Sequence, residues 1–210
     1  MEAGQPVSTR EELKRQLEAG ETQFLNLNLH GVDGLEFDLS GCDLRRGNFK
    51  ESRFGHAKFS GANLQGCYFQ QALLWGADLS DVLAQASFWH DADLSSARLQ
   101  QANFSGAFMH RCCLRGVVAA KSIWRGAKLV EGDFRSGLDQ LTDLGGANLQ
   151  NADLSFTLLQ GANLRGADFR GSCLYGANMN GSDLRGADMS GCDLSNTRLE
   201  GALLPDHLLD

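Results

Sequence analysis

The chain lacks a surplus of positive charge: 19 Lys and Arg stand against 26 Asp and Glu, a net charge of −7. Proteins that bind nucleic acid through phosphates alone need the opposite balance, so direct nucleic-acid binding is not expected. It lacks an apolar run long enough to cross a bilayer, and Met1-Glu2-Ala3-Gly4 does not read as the start of a signal peptide. Proline is nearly missing, with 2 in 210 residues. Glycine, by contrast, is abundant at 25 residues. Each Gly inside a helix costs about 1 kcal/mol, which excludes a helical bundle. These traits describe a soluble, acidic, turn-rich chain.

Internal repetition comes next. Residues 161–171 read Gly-Ala-Asn-Leu-Arg-Gly-Ala-Asp-Phe-Arg-Gly, a period of five. With the large apolar residue named i, the period runs from Leu39 to Leu204 as 34 consecutive repeats with no shift of register. Leu, Phe, Met or Trp fills i in 31 of them, the exceptions being Ala84, Ala119 and Asp139. A small residue fills i−2 in 31, Asp or Asn fills i−1 in 17, and Gly fills i+2 in 16. Phe24 and Leu29 keep the same phase, so the array starts near Thr22.

A period of five is neither helical nor simply alternating. One large and one small apolar residue, two apart, must share an interior. Gly and Asp or Asn between them supply turns. A unit this short cannot bury its own face and must stack on its neighbours.

Gly161-Ala162-Asn163-Leu164-Arg165 and Gly166-Ala167-Asp168-Phe169-Arg170 carry a resemblance to the pentapeptide-repeat family, whose pattern is A(D/N)LXX. The resemblance implies an all-β fold, a right-handed quadrilateral β-solenoid with four repeats per coil. It implies i and i−2 inside, with i−1, i+1 and i+2 outside. The layout is similar to cyanobacterial members. Residues twenty apart should then stack, so that Leu44, Leu64, Ala84, Phe104, Trp124, Leu144, Leu164, Leu184 and Leu204 form one interior column. At a coil spacing of roughly 4.8 Å the rod would be on the order of 40 Å long.

Both ends of a solenoid need covering. Residues 1–21 form an N-terminal segment with a capping helix over 9–19. Thr9 and Glu12 make a capping box, Leu13 and Leu17 share a face, and Gly20 ends the helix. Residues 22–204 form the solenoid. Pro205 stops it, and Leu208 and Leu209 in the tail 205–210 cover the last coil. Pairing of two copies through this end is the alternative.

The array is poor in chemistry. No insertion breaks the register to build a cleft, and Ser, His and Asp lie scattered, so an enzyme is not expected and no cofactor is implied. Cys42, Cys67, Cys112 and Cys192 occupy i−2 as small filler. Cys113 and Cys173 fall at i−1 on one face, about 14 Å apart by coil spacing, too far to bridge. No disulfide is expected, which fits a reducing, cytoplasmic compartment, at most peripheral to a membrane complex. His90 and His110 should stack beside Asp91, but nothing supplies a second shell, and no metal is assigned.

Departures from the outward pattern carry the functional signal. Tyr68, Phe88 and Phe108 take i−1 in three successive coils and should form an exposed aromatic strip, with His90 and His110 beside it and Leu73 and Trp75 on the next face. Such strips anchor protein partners. Val118, Leu138 and Leu158 make a second candidate surface on the opposite face, near the interior misfits Ala119 and Asp139. A bare carboxylate in an apolar column is costly, so residues 137–141 should bulge and bring Asp139 to solvent.

Charge is uneven. Residues 139–210 hold 4 basic and 10 acidic groups, whereas Arg45, Arg46, Lys50, Arg53 and Lys58 make the first coils basic. Asp168 with Asp188, Asp133 with Asp153, and Asp143 with Asp183 should form acidic ladders. The reading that follows is a rigid, non-catalytic docking module or scaffold for a larger protein complex, membrane-associated ones included. The alternative, implied by the resemblance, is an acidic DNA mimic that binds DNA gyrase, as quinolone-resistance members do.

Overall fold

The computed structural model describes residues 7–208, which leaves Leu209 outside the described residues. Its backbone winds in a regular coil, a β-solenoid in which each repeat contributes one bridging residue at i−1 followed by a turn. Parallel bridges join successive coils into four ladders. They run from Gln23 to Asp188 (first face), Asn28 to Asp193 (second), Asp33 to Arg198 (third) and Asp38 to Leu203 (fourth).

The hydrogen bonds of one repeat explain its pattern. Leu39 N–H donates to the Lys58 carbonyl (2.7 Å) and Gly41 N–H to Ser60 (2.9 Å) in the next coil. Asp43 N–H donates back to Thr22 (2.8 Å), and Cys42 N–H closes a turn on the Leu39 carbonyl (3.2 Å). Gly41 has φ +67°, so the turn carries positive φ at its third residue, as a type II turn does. The only main-chain donor left over is that of i+1, here Ser40, and the Asp38 carboxylate takes it at 3.1 Å. Asp or Asn at i−1 is thus selected as an acceptor for a main-chain N–H two residues on.

Glycine favours i+2 because the left-handed conformation there costs other residues roughly 1–2 kcal/mol. Among the described residues seventeen non-glycine residues nonetheless adopt it, Arg46, Glu51 and Phe156 included, so ladder bonds and core burial outweigh that cost.

The interior is filled by i and i−2 side chains, most with no exposure at all. Phe49, Phe69 and Trp89 stack at 4.5 and 4.1 Å, and Phe104 and Trp124 at 4.6 Å. The small residues Ala84 and Ala119 each precede a tryptophan by five positions. Trp89 Nε1 donates to Ser87 Oγ (2.6 Å), which donates to the Ala84 carbonyl (2.5 Å). Trp124, Ser122 and Ala119 repeat the arrangement. A small i beside a large one keeps the coil's volume constant, and the serine satisfies the buried indole N–H.

Helix α1 (Arg10–Glu18) begins where Thr9 Oγ1 accepts from Glu12 N–H at 3.2 Å, half of the expected capping box. The Glu12 carboxylate faces Gln16 instead (3.4 Å). Leu13 is buried in the core and Leu17 packs on it. At the other end Cys192, Leu194, Leu199 and Leu204 are only partly covered, and Leu208 of the 3-10 turn Asp206–Leu208 is likewise a partly buried residue packed on the core.

The expected constant coil of twenty residues fails at one place. Bridges span twenty residues up to Cys113–Asp133, then twenty-five from Val118–Asp143 to Asp133–Leu158, then twenty again. One whole repeat is expelled as a loop. Its neck is closed by Thr142 Oγ1, which donates to the Arg135 carbonyl (3.0 Å) and accepts from Gly116 N–H (2.9 Å). Inside the loop Gly137 N–H meets the Gln140 carbonyl (2.8 Å). Asp139 is exposed, because expulsion costs less than burying its charge. Every later ladder is therefore displaced by one face. The interior column of Leu44 continues from Trp124 into Leu149 and Phe169, not Leu144 and Leu164, which stack above Ala119.

Candidate docking faces

Face two begins with Asn28 and Asn48 and then turns aromatic. Tyr68 and Phe88 stack with centroids 5.1 Å apart and planes 6° from parallel, and Phe88 and Phe108 repeat this at 5.1 Å and 5°. Tyr68 is 37% and Phe108 48% exposed, and Phe88, between them, is half-buried. Rings stacked along the axis present their edges outward. Lys50 Nζ sits 5.2 Å from the Tyr68 ring centroid, and Lys128 follows Phe108 in the ladder. None of the three rings can accept the N–H of its i+1 residue, so the strip gives up a bond that Asn would make.

On the adjoining corner His90 and His110 stack at 5.3 Å. Asp91 is held there by a two-pronged bond from Arg111 (2.8 Å each) and lies 2.8 Å from His90 Nε2. The Arg111 hydrogen bond keeps the Asp91 carboxyl below the usual range. Among the described residues no group of three or more His, Cys, Asp or Glu is arranged to hold a metal ion.

Leu73 and Trp75 are exposed, but they do not extend the strip. Leu73 belongs to the third ladder, and Trp75 stands on the corner beyond it. The indole covers Gly55, where a Cβ would come within 2.6 Å of it, and meets His56 edge-on at 4.5 Å.

The second surface expected from sequence is not a strip. Val118 lies on the fourth face, Leu158 on the third and Leu138 at the tip of the expelled loop, fully exposed. The extra five residues break the alignment that a constant twenty-residue coil would have given. The same displacement separates Asp133 from Asp153, and Cys113 on the third face from Cys173 on the second. All six cysteines are free, and burial pushes the Cys67 thiol up to about 12.

Asp168 and Asp188 do share a ladder, as do Asp143 and Asp183, but their charge is largely occupied. Asp168 takes a two-pronged bond from Arg170 (2.9 and 2.6 Å) and another from Gln150 (2.6 Å). Asp183 is engaged likewise by Arg185 (2.9 and 2.6 Å).

Two features escaped the sequence. One is the cationic rim of the second face, Arg46, Lys50, Arg125 and Lys128, which only ladder assignment brings together. The other is the pair Phe156 and Tyr175, met edge-on at 5.3 Å.

The family model for pentapeptide repeats matches residues 38–76, 77–116, 141–174 and 174–204, in 8 copies. The unmatched stretch between the second and third segments, 117–140, includes all but the last residue of the expelled repeat. None of the curated proteins matches the chain. Among solved structures, it is similar to HetL of the cyanobacterium Nostoc sp. strain PCC 7120, described as a pentapeptide repeat protein involved in heterocyst differentiation regulation. That match has 28% identity and a TM-score of 0.68 over 94% of this chain and 98% of HetL. It also matches QnrB1, a plasmid-mediated fluoroquinolone resistance protein, with 20% identity and a TM-score of 0.47 over 88% of this chain and 93% of that one. A pentapeptide repeat protein of the Arabidopsis thaliana thylakoid lumen has 31% identity and a TM-score of 0.27 over 52% of this chain and 70% of its own.

Proposed function

The chain belongs to the pentapeptide-repeat family, and we propose that it works as a non-catalytic docking module whose partner protein binds the aromatic strip of the second face. The observation that carries this is the stack of Tyr68, Phe88 and Phe108, exposed in three successive coils where the repeat prefers Asp or Asn. A contiguous row of ring edges on a rigid frame suits burial against another protein, since aromatic anchors lose little entropy on binding. The described residues offer no convergent acid, base and nucleophile in a cleft.

In this reading the solenoid winds to the right, helix α1 caps its first coil and the 3-10 turn plugs its last. The protein works in the cytoplasm, where it docks on a larger complex, membrane-associated ones included. No described helix is long and apolar enough to cross a membrane. The involvement of HetL in the regulation of heterocyst differentiation supports control of a partner by occupancy.

The acidic-mimic reading, with gyrase as partner, is the weaker one. A phosphate-like row needs free carboxylates at regular intervals, and Asp168 and Asp183 are each neutralised by arginine. The expelled loop, with Leu138 at its tip, remains as a second contact for either partner.

Affinity capture from native lysate, wild type against the triple change Tyr68→Asn, Phe88→Asn and Phe108→Asn, tests the proposal. Light-scattering masses of both proteins accompany it. A specific partner lost on the triple change is expected. An unchanged partner set would overturn it, and a halved mass alone would show that the strip only pairs two rods.

A further inference from the structure

We propose that the second face receives an acidic amphipathic helix of its partner, laid parallel to the solenoid axis with one apolar side chain per turn against the rings. This rests on the docking reading above and adds the shape and charge of the bound segment.

Spacing selects a helix. The rings repeat at 5.1 Å. An α-helix advances 5.4 Å per turn, so across two intervals its apolar side chains drift from the rings by only about 0.6 Å. An extended strand places same-side residues roughly 6.7 Å apart and drifts by about 3 Å, most of a ring spacing.

Charge selects the sign. Arg46 lies along Gly66 on one flank of Tyr68, where a Cβ would meet its Cγ at 3.7 Å, and Lys50 covers the ring from the other flank. Arg125 and Lys128 stand at the far end, in the coil above Phe108. Among the described residues, none of Arg46, Lys50 and Arg125 is within ion-pair distance of a carboxylate. Most acidic groups around the face are already engaged: Asp43 by Arg45 (2.6 Å), Asp91 by Arg111 (2.8 Å), Glu51 by His30 (3.5 Å) and Asp153 by Lys128 (3.8 Å), whereas the exposed Glu131 is left as one carboxylate against three unpaired cations. Outward ring edges carry the positive side of the aromatic quadrupole, which also favours flanking carboxylates. The cationic rim spans four coil rises, about 20 Å, the length of a helix of about 13 residues. An anionic lipid surface would meet the same rings and cations. The acidic C-terminal part of the rod, residues 139–210 with 10 acidic and 4 basic groups, would oppose its approach.

Fluorescence anisotropy with the full chain tests this, using three labelled peptides of about 15 residues, long enough to span the rim. One carries Leu at helical spacing among Glu and Ala. The second reorders the same residues so that each Leu alternates with Glu or Ala. The third has Lys for every Glu of the first. The acidic helix should bind at least about tenfold tighter than either control, a difference of about 1.4 kcal/mol. Arg46→Glu, Lys50→Glu and Arg125→Glu together should remove that preference. Glu already occupies the left-handed turn site of Arg46 at Glu36, Glu51 and Glu131, and Glu200 occupies the outward i+1 site that Lys50 and Arg125 hold, so these changes suit the fold. No saturable binding of the acidic helix, or equal binding of either control, overturns the inference. Stronger ring-dependent binding to phosphatidylcholine vesicles containing phosphatidylserine would overturn it in favour of lipid. The triple Asn change separates the two levels. If the unchanged chain binds acidic and lysine helices equally and the triple change abolishes both, the docking face stands and the acidic preference falls. If it alters no binding, the docking face itself falls.

Discussion

Asn48 accepts the backbone N–H of Lys50 at 3.2 Å, one coil below Tyr68 in the same ladder. Tyr68, Phe88 and Phe108 cannot do this for Gln70, His90 and His110. Replacing all three with Asn restores bonds worth about 0.5–1.5 kcal/mol each at most. It removes two ring stacks worth about 0.5–1.5 kcal/mol each. The two effects nearly cancel, so the melting temperature followed by circular dichroism should move by only a few degrees. A large drop would mean that the strip holds the coils together, leaving no surplus to explain by docking.

The expelled repeat should be dispensable for folding. Removing residues 137–141 leaves Ser136 at a turn site, as Ser96 already is, and Thr142 at the small interior site. The coil then contains twenty residues like its neighbours. Shortening a loop lowers its closure cost slightly. Cooperative unfolding with an unchanged or raised midpoint is expected. A protein that unfolds without cooperativity would show that the loop is part of the coil's support.

This repeat also marks the limit of what the sequence discloses. The capping signals at Thr9, Glu12 and Gly20 placed α1, and the five-residue phase placed the buried Leu, Phe and Trp residues and the stacking of Tyr68 on Phe88 on Phe108. It could not show that a unit had left the coil, because removing five residues from a period of five leaves the phase unchanged. Only the twenty-residue spacing of bridges registers the loss. The available signal was Asp139 at an interior position, together with Gly137 where the chain leaves the coil. Reading Asp139 as a local bulge captured its exposure. It left Val118 and Leu158 on one face, and the structure puts them on two. The cationic rim was illegible for a related reason. Arg46 and Arg125 are 79 positions apart and are seen to share one corner, four coils apart, only once coil membership is known.

Acid should weaken the rod. Hydrogen bonds from Arg45, Arg111, Arg170 and Arg185 hold Asp43, Asp91, Asp168 and Asp183 below the usual carboxylate range. A depressed folded-state value stabilises the protein above the unfolded pKa of about 3.9. That stability is fully present at pH 7 and is lost as pH falls from about 5 towards 2. The pairs are largely exposed, so each contributes little. The melting midpoint should fall over this window, and Arg170→Ala with Arg185→Ala should flatten the fall. A midpoint constant down to pH 2 would show that the pairs contribute nothing.

Phe156 stands in the left-handed region at φ +59°, and its ring covers Gly176, where a Cβ would lie 2.8 Å from the ring atoms Cδ1 and Cε1. Tyr175 meets the same ring edge-on. Gly176→Ala therefore acts in two ways. Alanine at positive φ costs about 1 kcal/mol, a conformation Ala86 already adopts at φ +54°. The methyl also drives the Phe156 ring away from Tyr175, forfeiting an edge contact worth about 0.5–1.5 kcal/mol. In a Phe156→Gly background only the first cost remains. Urea unfolding of the four proteins should show Gly176→Ala costing about 2 kcal/mol with Phe156 present and about half that without it, a coupling that a double-mutant cycle isolates. Equal costs in both backgrounds would mean that the ring yields freely, and that Phe156 is held over Gly176 by nothing that stabilises the rod.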